Sequence, residues 1–391
     1  MNPTPRKICF ITGSRAEYGI LSPIMRAVAT NPDATLQIVA TNMHLSPAHG
    51  MTVREIEADG FTVDRRVEMM LDADTPSATV KSMGVELIGM ADALSELAPD
   101  IIVILGDRYE MLAAASAALI LGIPVAHIHG GEITEGAYDD AIRHAITKLS
   151  YLHFAATDEY RNRIIQMGEN PARVFNTGAP GIDGIEKIEG QSFDAPFTNF
   201  ALVTFHPVTK EPGEARAQTQ ALLDALDSIS DLPVIFTMPN SDAGGREIAA
   251  LLRNWTDTHS DRAHAYTSLG RARYFSALRQ CSAVIGNSSS GIIEAPSFGV
   301  PTVNIGNRQQ GRAQGNTIIN CPAETEAIKA AIEKALSPEF RKYVANHGTN
   351  PYHKTGSVEA IAGILANHEL APHAVKHFHD LTFEQGQKTT F

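Results

Sequence analysis

Short apolar runs alternate with amphipathic stretches along almost the whole chain. Runs at 7–12, 35–41, 101–105 and 124–128 read as strands, and the stretches between them carry apolar residues at helical spacing: 20–29, 53–59, 79–97, 109–121 and 139–149. The run IIVIL at 101–105 has no polar position, which is the mark of a strand covered on both faces. The alternation resumes with strands at 200–204, 233–237, 283–285 and 302–305 and helices at 214–226, 244–255, 289–298, 323–336 and 358–367. Strand after helix after strand predicts an α/β fold with parallel, doubly wound sheets. The segment 180–199 is rich in Gly, Pro and acidic residues and breaks the pattern, so two Rossmann-like domains are expected, at 1–185 and 199–367, with a tail at 368–391. Such a pair leaves a cleft between the carboxyl ends of its strands.

Composition narrows the partners. The chain has 391 residues, more than one core usually supports, and a formal net charge of −12 without a long basic run. That argues against nucleic acid or an anionic membrane as partner and leaves small anions to local arginines. Three scattered cysteines without CxxC spacing predict neither disulfides nor a zinc site and suit a reducing cytoplasm. The first residues are too polar for a signal peptide, and no apolar run reaches membrane-spanning length. A cytoplasmic location is therefore expected. His373, His377 and His379 in the tail lack a cysteine or carboxylate cluster to complete a metal site, so no metal is assigned.

Chemistry concentrates between 105 and 144. LGDRYE, HIHGGE and YDDAIRH place Asp107, Arg108, Glu110, His127, His129, Glu132, Asp139, Asp140, Arg143 and His144 on or beside loops between core elements. Any one of these is an ordinary loop charge or helix cap; together they indicate a catalytic cleft. Gly13-Ser14-Arg15 joins the first strand to the first helix, where Arg15 can fork onto phosphate, although neither GxGxxG nor GxxxxGK[ST] is present. In IGNSSSGIIEAPSFGVPTVNIGNRQQGR, Ser288, Ser289 and Ser290 open a helix with Glu294 one turn in, and Arg308 follows the next strand. A capping box explains part of this; three serines flanked by glycines exceed a cap and suit a diphosphate, with Glu294 placed to accept from ribose hydroxyls. FHPVT puts His206 at the end of the first strand of the second half, and PNSDAG puts Asn240 at the end of the next.

TGSRAEYG, LGDRYE, HIHGGE, YDDAIRHAITK, FHPVT, PNSDAG and the serine-rich segment, in that order, resemble the hydrolysing UDP-N-acetylglucosamine 2-epimerases of bacterial sialic acid synthesis. The resemblance runs from about 7 to 312. It implies a fold like that of GT-B glycosyltransferases, a UDP-sugar in the cleft, no cofactor, and a homodimer or higher homo-oligomer. The implied reaction turns UDP-N-acetylglucosamine and water into N-acetylmannosamine and UDP, by elimination to 2-acetamidoglucal and hydration. By motif position Asp107, Asp139 and His206 match residues implicated in catalysis, and Arg15, Arg108, Ser288, Ser289, Glu294 and Arg308 match nucleotide-binding positions. Arg143, Asn240 and Ser290 complete the expected substrate contacts. Many relatives carry a glutamate where this chain has His129, so either His129 takes that acid/base step, or Glu132 does, or the roles are divided differently here; both are expected to line the site. Relatives in legionaminic acid routes act on a UDP-2,4-diacetamido-trideoxyhexose or a GDP-linked sugar. A non-hydrolysing epimerase and a GT-B glycosyltransferase are the competing readings.

Overall fold

The computed structural model describes residues 4–382 apart from 72, 74, 136, 186–192, 209, 212, 240, 241, 243, 372 and 374. The first sheet contains β1 (Arg6–Thr12), β2 (Ala34–Thr41), β3 (Arg65–Val67), β4 (Ile101–Leu105), β5 (Val125–Ile128), β6 (Leu152–Ala155) and β7 (Val174–Asn176), in the order β3-β2-β1-β4-β5-β6-β7. The second contains β8 (Ala201–Thr204), β9 (Val234–Thr237), β10 (Ala263–Tyr266), β11 (Ala283–Gly286), β12 (Thr302–Ile305) and β13 (Ile318–Cys321), in the order β10-β9-β8-β11-β12-β13. Every ladder is parallel, with Ile8 opposite both Leu36 and Ile101 in the first sheet and Val203 opposite Phe236 and Ile285 in the second. All five residues of β4 are buried, as its unbroken apolar run predicts.

Each sheet reverses its strand order once, at β1/β4 and at β8/β11. In open parallel sheets the crevice at such a reversal receives the ligand. Four turns lead into it: Gly13-Ser14 after β1, Gly106-Asp107 after β4, Phe205-His206 after β8 and Asn287-Ser288 after β11. The fold thus brings most of the sequence motifs to one place before any side chain is considered.

Several elements differ from the sequence pattern. Strands β3, β6, β7, β10 and β13 were not legible as apolar runs: four are edge strands, and β6 contains His153, a buried ring that Glu169 meets at 3.2 Å. The helix expected at 289–298 is one α turn, α10 (Ser290–Ile293), followed by a 3-10 turn, Ala295–Phe298. Pro296, which has no N–H to donate, sits at the break.

The last helix, α13 (Ser357–Asn367), crosses back onto the first half. Val358, Ile361, Ala362 and Leu365 bury themselves in the core built around α1 (Arg15–Ala29) and the first sheet. The division at 367 expected from the sequence therefore assigns to the second domain a helix that packs in the first. Beyond it the chain stays attached: Lys376 Nζ bonds Ser150 O at 2.8 Å and the buried Glu169 at 2.8 Å, and His379 N–H donates to Gly168 O at 2.9 Å. Among the described residues, no helix is long and apolar enough to cross a membrane.

Candidate active site

The crevice holds two joined cavities. The outer, of about 400 Å³, is lined by Arg15, Arg108, His206, Arg271, Tyr274 and Ser288 among others; the inner, of about 140 Å³, by His129, Glu132, Arg143, Gln309 and Arg312. Asp107, Asp139, Ser289, Ser290, Glu294 and Arg308 line both. Of the residues expected from the sequence, the described ones reach this crevice except Glu110, His127, Asp140 and His144 of the dense stretch, which line neither cavity; Asn240 lies outside the described residues.

Asp139 opens helix α5 (Asp139–Leu149) and is 7 % exposed, with Oδ2 buried and lacking a hydrogen-bond partner. A carboxylate kept from water resists ionisation. Burial, aided by the like charge of Asp242 and opposed by Arg308 and Arg108, pushes its carboxyl up to about 6. It is therefore poised to exchange a proton near neutral pH.

Asp107, in the turn after β4, is ion-paired with Arg143 on α5. Arg143 is buried, and it also reaches Glu132 O at 2.9 Å and Thr134 Oγ1 at 3.1 Å. Its donors face the protein, so it clamps the HIHGGE loop to Asp107; the sequence reading placed it on substrate.

His129 leaves β5 with φ of 66°, a left-handed conformation uncommon for a residue with a Cβ. Its N–H bonds Phe154 O at 3.0 Å, and its Nδ1 lies 2.5 Å from Glu132 Oε1. The other oxygen, Glu132 Oε2, lies 2.5 Å from Arg312 Nη1. Burial alone would raise the Glu132 carboxyl, yet Arg312 and His129 beside it outweigh that and hold it below its ordinary value. With both oxygens committed, Glu132 orients the His129 ring and leaves Nε2 as the nitrogen for a substrate. The substitution at 129 thus comes with a supporting carboxylate three positions on and an arginine from the other domain.

On the facing side, Gly286 makes the turn into the serine segment with φ of 135°, where a Cβ would fall 1.9 Å from Thr204 O. Only glycine fits this close approach. Asn287 then fastens the two turns of the second domain, accepting from His206 N–H at 2.7 Å and donating to His206 O at 2.8 Å. Ser290 Oγ bonds Tyr274 Oη at 2.7 Å and Ser288 Oγ at 3.1 Å. A single helical turn has little macrodipole, so the cationic character here comes from side chains. Arg308 donates to Asn287 O at 3.1 Å and keeps a buried Nε without a partner; Arg15 also has a buried Nε without a partner and pairs with Glu55 at 2.9 Å. Glu294 is pushed up to about 7 by burial, against the opposing influence of Arg271 and His129.

Arg312, Arg271, Tyr274 and Asp242 were not singled out from the sequence. Arg312 had a signal in GNRQQGR, four positions after Arg308; its pairing with Glu132, 180 positions earlier, had none.

Two Rossmann-type domains with arginines, carboxylates and histidines meeting at both switch points define a GT-B-like cleft. The family model for UDP-N-acetylglucosamine 2-epimerase matches residues 26–366, and the chain belongs to that family. It is 38 % identical over 348 residues to the GDP/UDP-N,N'-diacetylbacillosamine 2-epimerase (hydrolyzing) of Campylobacter jejuni, covering 86 % of this chain and 89 % of that one. It is 37 % identical over 351 residues to the UDP-N,N'-diacetylbacillosamine 2-epimerase (hydrolyzing) of Legionella pneumophila, covering 88 % and 92 %. The fold is that of the Methanocaldococcus jannaschii UDP-GlcNAc 2-epimerase crystallised with UDP-GlcNAc and UDP: TM-score 0.77, 20 % identity, 92 % of this chain and 99 % of that one. The hydrolysing 2-epimerase reading of the motifs stands with these findings.

Proposed function

We propose that this enzyme converts a UDP-linked 2-acetamido sugar and water into UDP and the free sugar epimerised at C2. The observation that carries this is Asp139: a buried carboxyl with an unpartnered oxygen, facing the same inner cavity as Asp107 and the His129–Glu132 pair. Epimerisation needs proton exchange on two faces of one carbon, hence two acid/base groups around one small space. The C2–H is too weakly acidic to leave alone, so its loss accompanies departure of UDP from C1. The C2–H and C1–O bonds break, and a C1–C2 double bond forms. Water then adds at C1 while a proton returns to C2 from the opposite face. Asp139 and His129, the latter oriented by Glu132, serve the two faces, and Asp107 presents a carboxylate to positive charge developing at C1. Arg308, Arg15, Arg271 and the serine segment receive the diphosphate, where charge accumulates. His206 lines the outer cavity and supports the leaving group.

For the sugar, we favour a 2,4-diacetamido-6-deoxyhexose over N-acetylglucosamine. The inner cavity includes Ile20, Leu105, Ala137, Ala179 and Ile293, a surface that suits methyl groups better than a hydroxymethyl. The two relatives at 38 % and 37 % identity, both named for diacetylbacillosamine, support the same choice.

The test offers each UDP-sugar, and the GDP-linked analogues, in heavy water and follows products by NMR. The expected result is free sugar with deuterium at C2, and faster turnover of the diacetamido substrate. Release of UDP without label at C2 would exclude epimerisation, and faster turnover of UDP-N-acetylglucosamine would reverse the choice of sugar.

A further inference from the structure

Among the described residues that line the inner cavity, four buried polar atoms have no hydrogen-bond partner: Asp139 Oδ2, Arg308 Nε, Gln309 Oε1 and Arg312 Nε. Asp139 and Arg308 also line the outer cavity and already serve proton transfer and the diphosphate. Gln309 and Arg312 line the inner one alone. They are 1 % and 9 % exposed, and Arg312 N–H donates to Gln309 O at 3.2 Å, so a single backbone turn presents both side chains. That turn is pinned on several sides. Gln309 Nε2 donates to Asn287 O at 2.9 Å, which sets the orientation of the amide and leaves Oε1 as its open end. Gln310 O accepts from Glu135 N–H of the first domain at 3.0 Å. Gly311 has φ of 83°, and a Cβ there would run into Ile133 Cγ2, just after HIHGGE. Arg312 Nη1 is taken by Glu132 at 2.5 Å. In a turn so well bonded, a buried acceptor and a buried donor left open call for a partner that arrives with the ligand.

We propose that Gln309 and Arg312 are specificity-determining residues that read the acetamido group on C2 of the sugar: Gln309 Oε1 accepts its N–H, and Arg312 Nε donates to its carbonyl. The inference deepens the proposed function and rests on its placing of C2 in the inner cavity, beside His129 and Asp139. An amide oxygen only accepts and a guanidinium nitrogen only donates. A hydroxyl on C2 presents one atom and meets one of the two. A secondary amide presents a donor and an acceptor on opposite edges, so one substituent satisfies both. The same cavity has apolar walls at Ala137, Ala179 and Ile293 for the acetyl methyl.

The test reads binding without turnover, by calorimetry in the Asp139→Asn background, with UDP, UDP-N-acetylglucosamine, UDP-glucose and UDP-2-deoxyglucose. The three sugars differ only at C2. The acetamido sugar is expected to bind about tenfold more tightly than either analogue, and Gln309→Leu to remove most of that preference while UDP affinity changes by less than about threefold. Arg312→Lys, which keeps a charge beside Glu132 but lacks Nε, is expected to act in the same direction. A preference that survives in either variant overturns the role given to that residue. If Gln309 only held a water molecule, Gln309→Leu would weaken all three sugars alike, and that result overturns the proposal too. Absence of any preference before Gln309 is changed overturns it together with the placing of C2 on which it rests. A preference lost as expected upholds it even where the heavy-water experiment finds no label at C2, because no proton transfer is read. Thermal unfolding is followed for each variant; should Gln309→Leu fold poorly, Gln309→Met, which keeps the length of the side chain, carries the same expectation.

Discussion

At the scale of single residues, the site is organised by how each carboxyl is kept from water. Asp139 and Glu132 are both almost fully buried, but one has an oxygen without a partner and the other has both oxygens taken, and their carboxyls shift in opposite directions. In the proposed mechanism this leaves Asp139 to exchange protons and Glu132 to hold His129. Asp139→Asn is expected to lower kcat by about 10²–10⁴-fold and to abolish the titration at about 6, with UDP affinity retained. A UDP-release assay with calorimetric UDP titration checks both. Glu132→Gln should behave differently: it loses turnover and also stability, because Arg312 keeps its buried charge without a counter-charge, a change that costs roughly 3–5 kcal/mol. Chemical denaturation distinguishes the two variants. A Glu132→Gln protein as stable as wild type would mean that Arg312 has another partner. The residues that line the crevice were legible because they fall in short dense motifs. Their division of labour was not, since Arg143 turns inward and Arg312 arrives from the other domain, and local spacing does not encode which partner a long side chain finds.

At the scale of elements, long apolar runs gave reliable strands because burial on both faces leaves no room for polar positions. Short edge strands escaped notice for the complementary reason. Strand β6 illustrates the limit: His153 is tolerated in it only through Glu169, which also takes Lys148 Nζ at 2.5 Å and Lys376 of the tail. Burial alone would raise the Glu169 carboxyl, but hydrogen bonds from His153, Lys148 and Lys376 outweigh it and hold it down at about 2. A depressed carboxyl contributes stability that is complete above its unfolded value near 4.5 and is lost as the pH falls toward about 2. Glu169→Gln is therefore expected to lower stability at neutral pH and to flatten its fall across that acid window. Urea unfolding at a series of pH values reads this, and an unchanged acid slope would show that the tail is held by other contacts.

At the scale of the whole molecule, the pattern of two α/β halves is correct in kind but misleading about independence. Helix α13, encoded after the second domain, supplies Val358, Ile361 and Leu365 to the first core. Burying such a side chain contributes about 1.5–3 kcal/mol. Three of them approach the entire stability of an ordinary domain, about 5–15 kcal/mol. The halves are further joined where Tyr160 Oη meets Tyr352 Oη at 2.8 Å, with Tyr160 Oη accepting from Ala313 N–H at 2.7 Å and Tyr352 Oη donating to Ala313 O at 2.9 Å. A fragment ending at 185 lacks α13 and exposes the apolar faces of α1 that it covers. Expressed alone, that fragment is expected to bind a dye for exposed apolar surface and to unfold without a cooperative transition. Supplying residues 350–382 through a flexible linker restores the cover and should restore cooperativity. If fragment 1–185 folds cooperatively by itself, α13 is an accessory to the first domain and not part of its minimal core.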